Sequence, residues 1–276
     1  MEFVRSYQDI QLLMTSIRNL RKGFITNFYP EEFKINLWIS NKELFFEQYS
    51  ESIFFVHQND DFFAIFYCST SLEALDNSLK VTQFKDRLVA DIITSDISSP
   101  ILNVFYDHKF IRHSSLVRMS RMSQLTGPDS CYPSENIKNA ELSDIPEIRR
   151  LFNSYFDKFT EQIPIYEELE QWIKQSHIIV YKKDLKIAGF LIYDLIGVTL
   201  YLRYWFVCPE YRDKKIGSEL FKEFSYRGKG TKRQIFWVIE SNDNAIKRYE
   251  HYGFMKEKMF DYVLIKIIDK DERKNN

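Results

Sequence analysis

The stretch Val207-Cys-Pro-Glu-Tyr-Arg-Asp-Lys-Lys-Ile-Gly-Ser-Glu-Leu-Phe221 decides how the second half of this chain reads. An apolar run ends at Val207 and Pro209 breaks it, because proline cannot continue a ladder. A polar loop carrying Arg212, Lys214 and Lys215 follows. From Ile216 onward, Ile216, Leu220, Phe221 and Phe224 recur at helical spacing. The unit is therefore strand, basic loop, helix. The first amides of a helix have no partner within it, and the helix dipole is positive there, so such a turn is suited to an anion. Gly217 leaves room for a phosphate to approach the backbone. Taken alone, the loop reads equally as a solvated basic connection.

One strand later stands Glu240-Ser-Asn-Asp-Asn-Ala-Ile-Lys-Arg-Tyr-Glu-His-Tyr-Gly-Phe254. Asn242 is placed to cap a helix, and Ala245 and Tyr249, four apart, share a face. Gly253 suits the left-handed position at a helix C-terminus, and Phe254 returns the chain to a strand.

Working outward, Ser143 or Asp144 caps a helix with Pro146 in its first turn, and Ile148, Leu151, Phe152 and Tyr155 form its apolar stripe. A second helix is predicted at 166–175, and strands at 177–181, 187–195 and 199–207. A helix at 216–226, a strand at 234–239, a helix at 242–252 and a strand at 260–268 complete the half. That order predicts an α/β (α+β) fold, a mixed and mostly antiparallel sheet flanked by helices.

The two quoted segments, at this spacing, resemble the GNAT N-acetyltransferase family. Its helix pattern Asn-x-x-Ala-x-x-x-Tyr-Glu-x-x-Gly-Phe is complete here, from Asn242 through Ala245 and Tyr249 to Phe254. Its pyrophosphate loop, Arg/Gln-x-x-Gly-x-Gly/Ala, is matched at Arg212 and Gly217, with Lys215 in place of the first glycine. The resemblance covers about residues 137–268. It implies acetyl-CoA as donor, coenzyme A as product and a primary amine, on a small molecule or a peptide, as acceptor. The backbone of Asp213, Lys214, Lys215, Ile216, Gly217 and Ser218 would hold the pyrophosphate, with Arg212 nearby. Phe206, Val207 and Cys208 would pair with the pantetheine amides, Asn242 and Ala245 would line the other side, and Tyr249 would protonate the departing thiolate. The acceptor pocket would be formed by the first two helices with their connection and by the strand before the loop, which carry Tyr155, Phe156, Phe159, Tyr166, Tyr204 and Trp205. No residue stands out as general base; Asp194 and Glu240 are candidates. Two other readings stay open: a non-catalytic acyl-CoA-binding or interaction module, and a tandem-fold transferase of aminoacyl groups from tRNA.

The whole chain has 276 residues, room for two domains at about 150 residues each. Loop-like composition at 122–139 puts the division there: an N-terminal α+β domain at 1–125, a linker at 126–136, and the GNAT-like domain at 137–276. Thirty-eight basic residues nearly cancel 39 acidic ones, which gives no overall attraction to nucleic acid or to anionic membranes. Cys68, Cys131 and Cys208 are too scattered for a disulfide framework or a zinc site, so no metal is expected. Cys208 reads as a small buried thiol, and His177 and His251 as ordinary histidines. No signal peptide or bilayer-length apolar run is seen, so the expectation is a cytoplasmic protein.

The first 120 residues contain an echo of the second half. A hairpin at 52–57 and 61–68 follows two helices, then come a strand at 88, a helix at 100 and a strand at 116. Phe105-Tyr-Asp-His-Lys-Phe110 parallels Arg248-Tyr-Glu-His-Tyr-Gly-Phe254 without the glycine. No pyrophosphate loop is visible. This half reads as a degenerate copy of the same fold or as an unrelated α+β domain, with two roles open to it: shaping the acceptor site or forming a homodimer interface.

Overall fold

In the computed structural model, residues 1–82, 84, 87–123 and 135–267 are described. The chain forms two compact units: Met1–Leu116 with the chain from Lys258 onward, and Val117–Glu257. Of the expected linker, only Glu135 and Asn136 are among the described residues.

The second unit contains β8 (Ile137–Asn139), α5 (Ile145–Tyr155), α6 (Tyr166–Lys174), β9 (Ile178–Lys183), β10 (Lys186–Ile196), β11 (Thr199–Val207), α7 (Ile216–Arg227), β12 (Arg233–Ile239) and α8 (Asp243–His251). Its strands lie in the order β8-β9-β10-β11-β12, followed by β7 (Ile111–Met122), whose residues 117–122 belong to this unit. From β8 to β12, neighbours pair antiparallel except β11 with β12, which are parallel. The expected mixed sheet with helices on its faces is what the chain forms.

Ile187 to Tyr193 of β10 are all buried, as a central strand covered on both faces requires. On one face Ile145, Ile148, Leu151 and Phe152 of α5 and Leu169 of α6 pack on Ile178, Val180, Phe190, Ile192 and Phe206. Ile148, Leu151 and Phe152 belong to the stripe read from the sequence, whose fourth member, Tyr155, is instead 50% exposed. On the other face α7 buries Ile216, Leu220, Phe221 and Phe224.

The first unit repeats this order of elements. It has β1 (Glu2–Phe3), α1 (Tyr7–Asn19), β2 (Ile25–Thr26), α2 (Glu32–Ser40), β3 (Leu44–Gln48), β4 (Ser52–Gln58), β5 (Phe63–Ser69), α3 (Leu72–Val81), β6 (Leu88–Thr94) and α4 (Pro100–Asp107). Its sheet runs β1-β3-β4-β5-β6 and ends on β13 (Met255–Lys266), which pairs antiparallel with β6 from Phe260↔Thr94 to Lys266↔Leu88. Strand for strand and helix for helix, β1 to α4 match β8 to α8, and β2 alone has no counterpart. The last strand of each unit thus comes from the other half of the sequence. The echo seen in the N-terminal half is a repeat of the same element order, with β1, β2, β3 and α3 going unread.

Candidate active site

The site of interest lies in the second unit where β11, α7 and α8 converge. Strands β11 and β12 run parallel but are in register only over Thr199↔Arg233, Leu200↔Gln234 and Tyr201↔Ile235. Beyond Tyr201, residues 202–207 have no partner in β12. Their other edge is taken by β10, from Ile192↔Tyr204 to Gly189↔Val207. The cause of the parting is local. The β10 register shifts between Ile192 and Tyr193, which makes Arg203 an extra residue on β11. Such a bulge bends a strand, increases its twist and re-aims its side chains. Here Arg203 bonds Asp194 through Nε at 2.5 Å.

Two aromatic residues that the sequence placed together as pocket lining, adjacent on the strand beyond the bulge, face opposite sides of the sheet. Tyr204 and Phe206 turn to the α5–α6 face, where the Tyr204 hydroxyl donates to the carbonyls of Glu161 (3.0 Å) and Gln162 (2.7 Å). It thereby ties the connection between the two helices to β11. Trp205 turns to the opposite face and stacks on Phe221 of α7, with ring centroids 5.3 Å apart. It lies between the two sequence motifs: its ring is 5.6 Å from that of Tyr249, and a methyl group added at Gly217 would lie 3.4 Å from its Cζ2. The Trp205 Nε1 is buried without a hydrogen-bond partner among the described residues.

Arg212, Asp213, Lys214 and Lys215 are all exposed on the loop into α7. Asp213 and Lys215 have left-handed backbones, with φ of 62° and 63°. Lys215 is the N-cap of α7 and supplies no side-chain cap, so the first amides of the helix stay open to a ligand. Its left-handed backbone is the physical reason for a glycine in the family's pattern at this point. Ile216 is core, and the Ser218 hydroxyl accepts from the Tyr252 hydroxyl at 3.0 Å. Val207 closes the unpaired edge. Cys208 is already tied to β10: its amide donates to the Ala188 carbonyl at 2.9 Å and its thiol to the Ile187 carbonyl at 3.2 Å. Burial pushes that thiol up to about 11, so it is neutral and inert.

Asn242 caps α8 by accepting from the Ala245 amide at 3.2 Å, which commits its side-chain oxygen to the helix. Gly253 has the left-handed backbone read for it, with φ 82°. Tyr249 rests on Phe236 at 4.2 Å between centroids. Burial raises its hydroxyl to about 12, against a smaller opposing effect of the Arg248 charge. Among the described residues nothing hydrogen-bonds that hydroxyl, so the proton it carries at neutral pH is available to a ligand.

The two candidate bases differ. Asp194 accepts from Trp172 Nε1 at 2.8 Å and from Arg203. Burial works to raise its carboxyl, yet His177, the Arg203 charge and the Trp172 donor together hold it below the ordinary range. That carboxylate is a structural anchor. Glu240 is exposed at the end of β12. Among the described residues no group of three or more potential metal ligands occurs.

Arg121 of β7 went unread in the sequence. Buried, it donates to Gln234 of β12 (2.9 Å), to Ser225 of α7 (3.0 Å) and to the Tyr252 carbonyl at the end of α8 (2.7 Å). Its guanidinium also lies 4.9 Å from the Phe254 ring centroid. It fastens β12, α7 and the end of α8 to one another, and no local pattern signals it because these three hydrogen-bond partners are more than a hundred residues away in sequence.

The acetyltransferase (GNAT) family model matches residues 145–254. No curated protein matches the sequence. Among solved structures, a GCN5-related N-acetyltransferase from Sphaerobacter thermophilus is similar at TM-score 0.55 and 12% identity, covering 86% of both chains. A GNAT-family acetyltransferase from Colwellia psychrerythraea is similar at TM-score 0.55 and 11% identity, over 96% of this chain and 98% of that one. A tandem GNAT protein from the clavulanic acid biosynthesis pathway has TM-score 0.56 and 9% identity, over 79% of each chain. Such low identities establish likeness of fold alone. What the comparisons show of this chain is therefore a match of residues 145–254 to the GNAT acetyltransferase family model, together with a GNAT-like fold.

Proposed function

We propose that the second unit is an acyl-CoA-dependent N-acyltransferase that uses acetyl-CoA as donor and a primary amine as acceptor. The observation that carries this reading is the parting of β11 and β12 after Tyr201↔Ile235. It leaves an unpaired strand edge beside an uncapped helix N-terminus and an unpartnered tyrosine. An extended chain with amide groups, such as pantetheine, would satisfy the edge at 202–207. A pyrophosphate would take the open amides at the start of α7, with Arg212, Lys214 and Lys215 adding positive charge. The orphan Trp205 N–H is further support for a polar ligand in this place.

In the reaction the amine nitrogen attacks the thioester carbonyl, the carbon–sulfur bond breaks, and the amine's proton leaves to water. Tyr249 would donate a hydrogen bond to the thiolate as charge develops on sulfur. A thiol titrates near 8.5 and this phenol near 12. The gap of about 3.5 units makes full proton transfer uphill by roughly 5 kcal/mol. Tyr249 is therefore better suited to stabilising the thiolate than to surrendering its proton outright. Holding amine and carbonyl together supplies most of the acceleration.

Calorimetric titration with acetyl-CoA and with free coenzyme A tests the donor site, followed by a screen of amines for turnover. A hydrogen bond to a charged group is worth about 1.5–3 kcal/mol. Tyr249→Phe should therefore lower turnover by roughly ten- to a hundredfold at unchanged donor affinity. Unchanged turnover would remove Tyr249 from the mechanism, and absence of binding at millimolar ligand would sink the donor assignment.

A further inference from the structure

The first unit contains the same pair of parallel strands, β5 and β6, in the positions of β11 and β12. They too are in register only at their starts, Phe63↔Leu88 and Ala64↔Val89. Here, however, the opening is filled. One edge of β5 is fully engaged by β4, from Ser52↔Ser69 to Gln58↔Phe63. Strand β2 pairs with β5 as well, Ile25↔Ser69 and Thr26↔Cys68, so it lies along the edge that faces β6.

Its neighbours fasten it there. Asn27 bridges the parted strands, accepting from the Tyr67 amide (2.7 Å) and donating to the carbonyls of Ile65 (3.3 Å) and Asp91 (3.1 Å). The Thr26 hydroxyl donates to the Tyr67 carbonyl at 2.6 Å. Gly23, with φ 114°, is so close to the chain leaving β5 that an added Cβ would lie 2.6 Å from the Thr70 carbonyl oxygen. The turn that would cradle a phosphate is also missing. Only Thr70 and Ser71 separate β5 from α3, whereas residues 208–215 separate β11 from α7. The Ser71 hydroxyl caps α3 by accepting from the Ala74 amide at 3.1 Å.

We infer that residues 23–27 are a built-in plug: a piece of the chain's own backbone occupying, in the first unit, the strand edge that the second unit offers to its donor. The protein then takes one pantetheine-bearing ligand per chain, in the second unit. Its first unit is locked in a filled state without ligand. The single-site stoichiometry rests on the function proposed above; the plug itself stands on the first unit's hydrogen bonds.

Hydrogen exchange of the full chain, with and without free coenzyme A, separates the two. Without ligand, amides within 24–28 and 65–69 should exchange on the order of a hundredfold more slowly than free chain, and coenzyme A should leave them unchanged. Amides within 202–207 should slow only when coenzyme A is added, with a calorimetric stoichiometry of one. Unprotected amides at 24–28, or a coenzyme A response there, would overturn the plug. A protected plug with no response at 202–207 would leave it standing and refute the donor site instead. Gly23→Ala, which drives a methyl group against the Thr70 carbonyl, should speed exchange at 24–28 about tenfold and leave coenzyme A affinity as it was. Exchange at the original rate would show that the segment is not held where these contacts put it.

Discussion

Lys215 offers the sharpest test of the donor loop. Its backbone sits at φ 63° and ψ 2° as N-cap of α7. A side chain in that conformation brings Cβ against the following carbonyl, at a cost of about 1–2 kcal/mol. Glycine removes that cost but loses roughly 0.5–1 kcal/mol to the greater freedom of the unfolded chain. Lys215→Gly should therefore stabilise by about 0.5–1 kcal/mol net, near 1–4 °C in Tm for a unit of this size. Lys215→Ala loses the same ammonium group but keeps the Cβ, so it should melt with the parent. Thermal denaturation of the three proteins side by side reads the difference. Equal melting of the Gly and Ala variants would refute the strained backbone, and with it the explanation of why the family's pattern has glycine here. Coenzyme A titration of the same pair adds a second measurement. An exposed charge contributes at most about 1 kcal/mol, so both variants should bind up to fivefold more weakly, and the loss should shrink in high salt. Tighter binding by both would mean that the lysine stem crowds the phosphates.

Other consequences follow from the packing around the site. Buried and protonated, Cys208 should resist iodoacetamide at pH 8 in the folded protein and react once unfolded, read by peptide mass; labelling at the free-thiol rate would contradict its bond to Ile187. Because its folded value, about 11, lies above the ordinary 9, its contribution to stability is complete below about pH 9 and is lost as the pH rises toward 11. Asp194→Asn removes the carboxylate charge that Arg203 bonds and should cost about 2 kcal/mol in urea unfolding at pH 7. The wild-type advantage should shrink progressively as the pH falls below the ordinary carboxylate range and through the depressed folded value; a gap that does not shrink at all between pH 5 and pH 2 would mean that charge is not its source. Arg121→Met leaves Gln234, Ser225 and the Tyr252 carbonyl without their donor and should destabilise by about 3 kcal/mol; a loss under 1 kcal/mol would show that these elements are held together by their apolar contacts alone.

The sequence by itself determined whatever depends on local spacing. The stripe Ile148, Leu151 and Phe152 produced α5, and the run from Thr199 to Val207 produced β11 with the bounds read for it. Asn242 and Gly253 marked the ends of α8 correctly, because caps and left-handed positions are set by the backbone groups a few residues away. The Asn-Ala-Tyr-Gly-Phe pattern was legible for the same reason, and it pointed to the family. The tertiary structure decided what depends on partners far along the chain. Whether β11 and β12 part is set by the bulge at Arg203, which appears only once β11 is paired with β10. Alternation alone puts the adjacent Tyr204 and Trp205 on opposite faces, but the bulge before them decided that Trp205 meets α7 and Tyr204 the helix pair. Strand β2 is two residues long and has no periodicity to detect; it exists because the edge of β5 needed hydrogen-bond partners. The final strand of each unit comes from the other half of the sequence because strand pairing depends on which edges meet, and not on order along the chain.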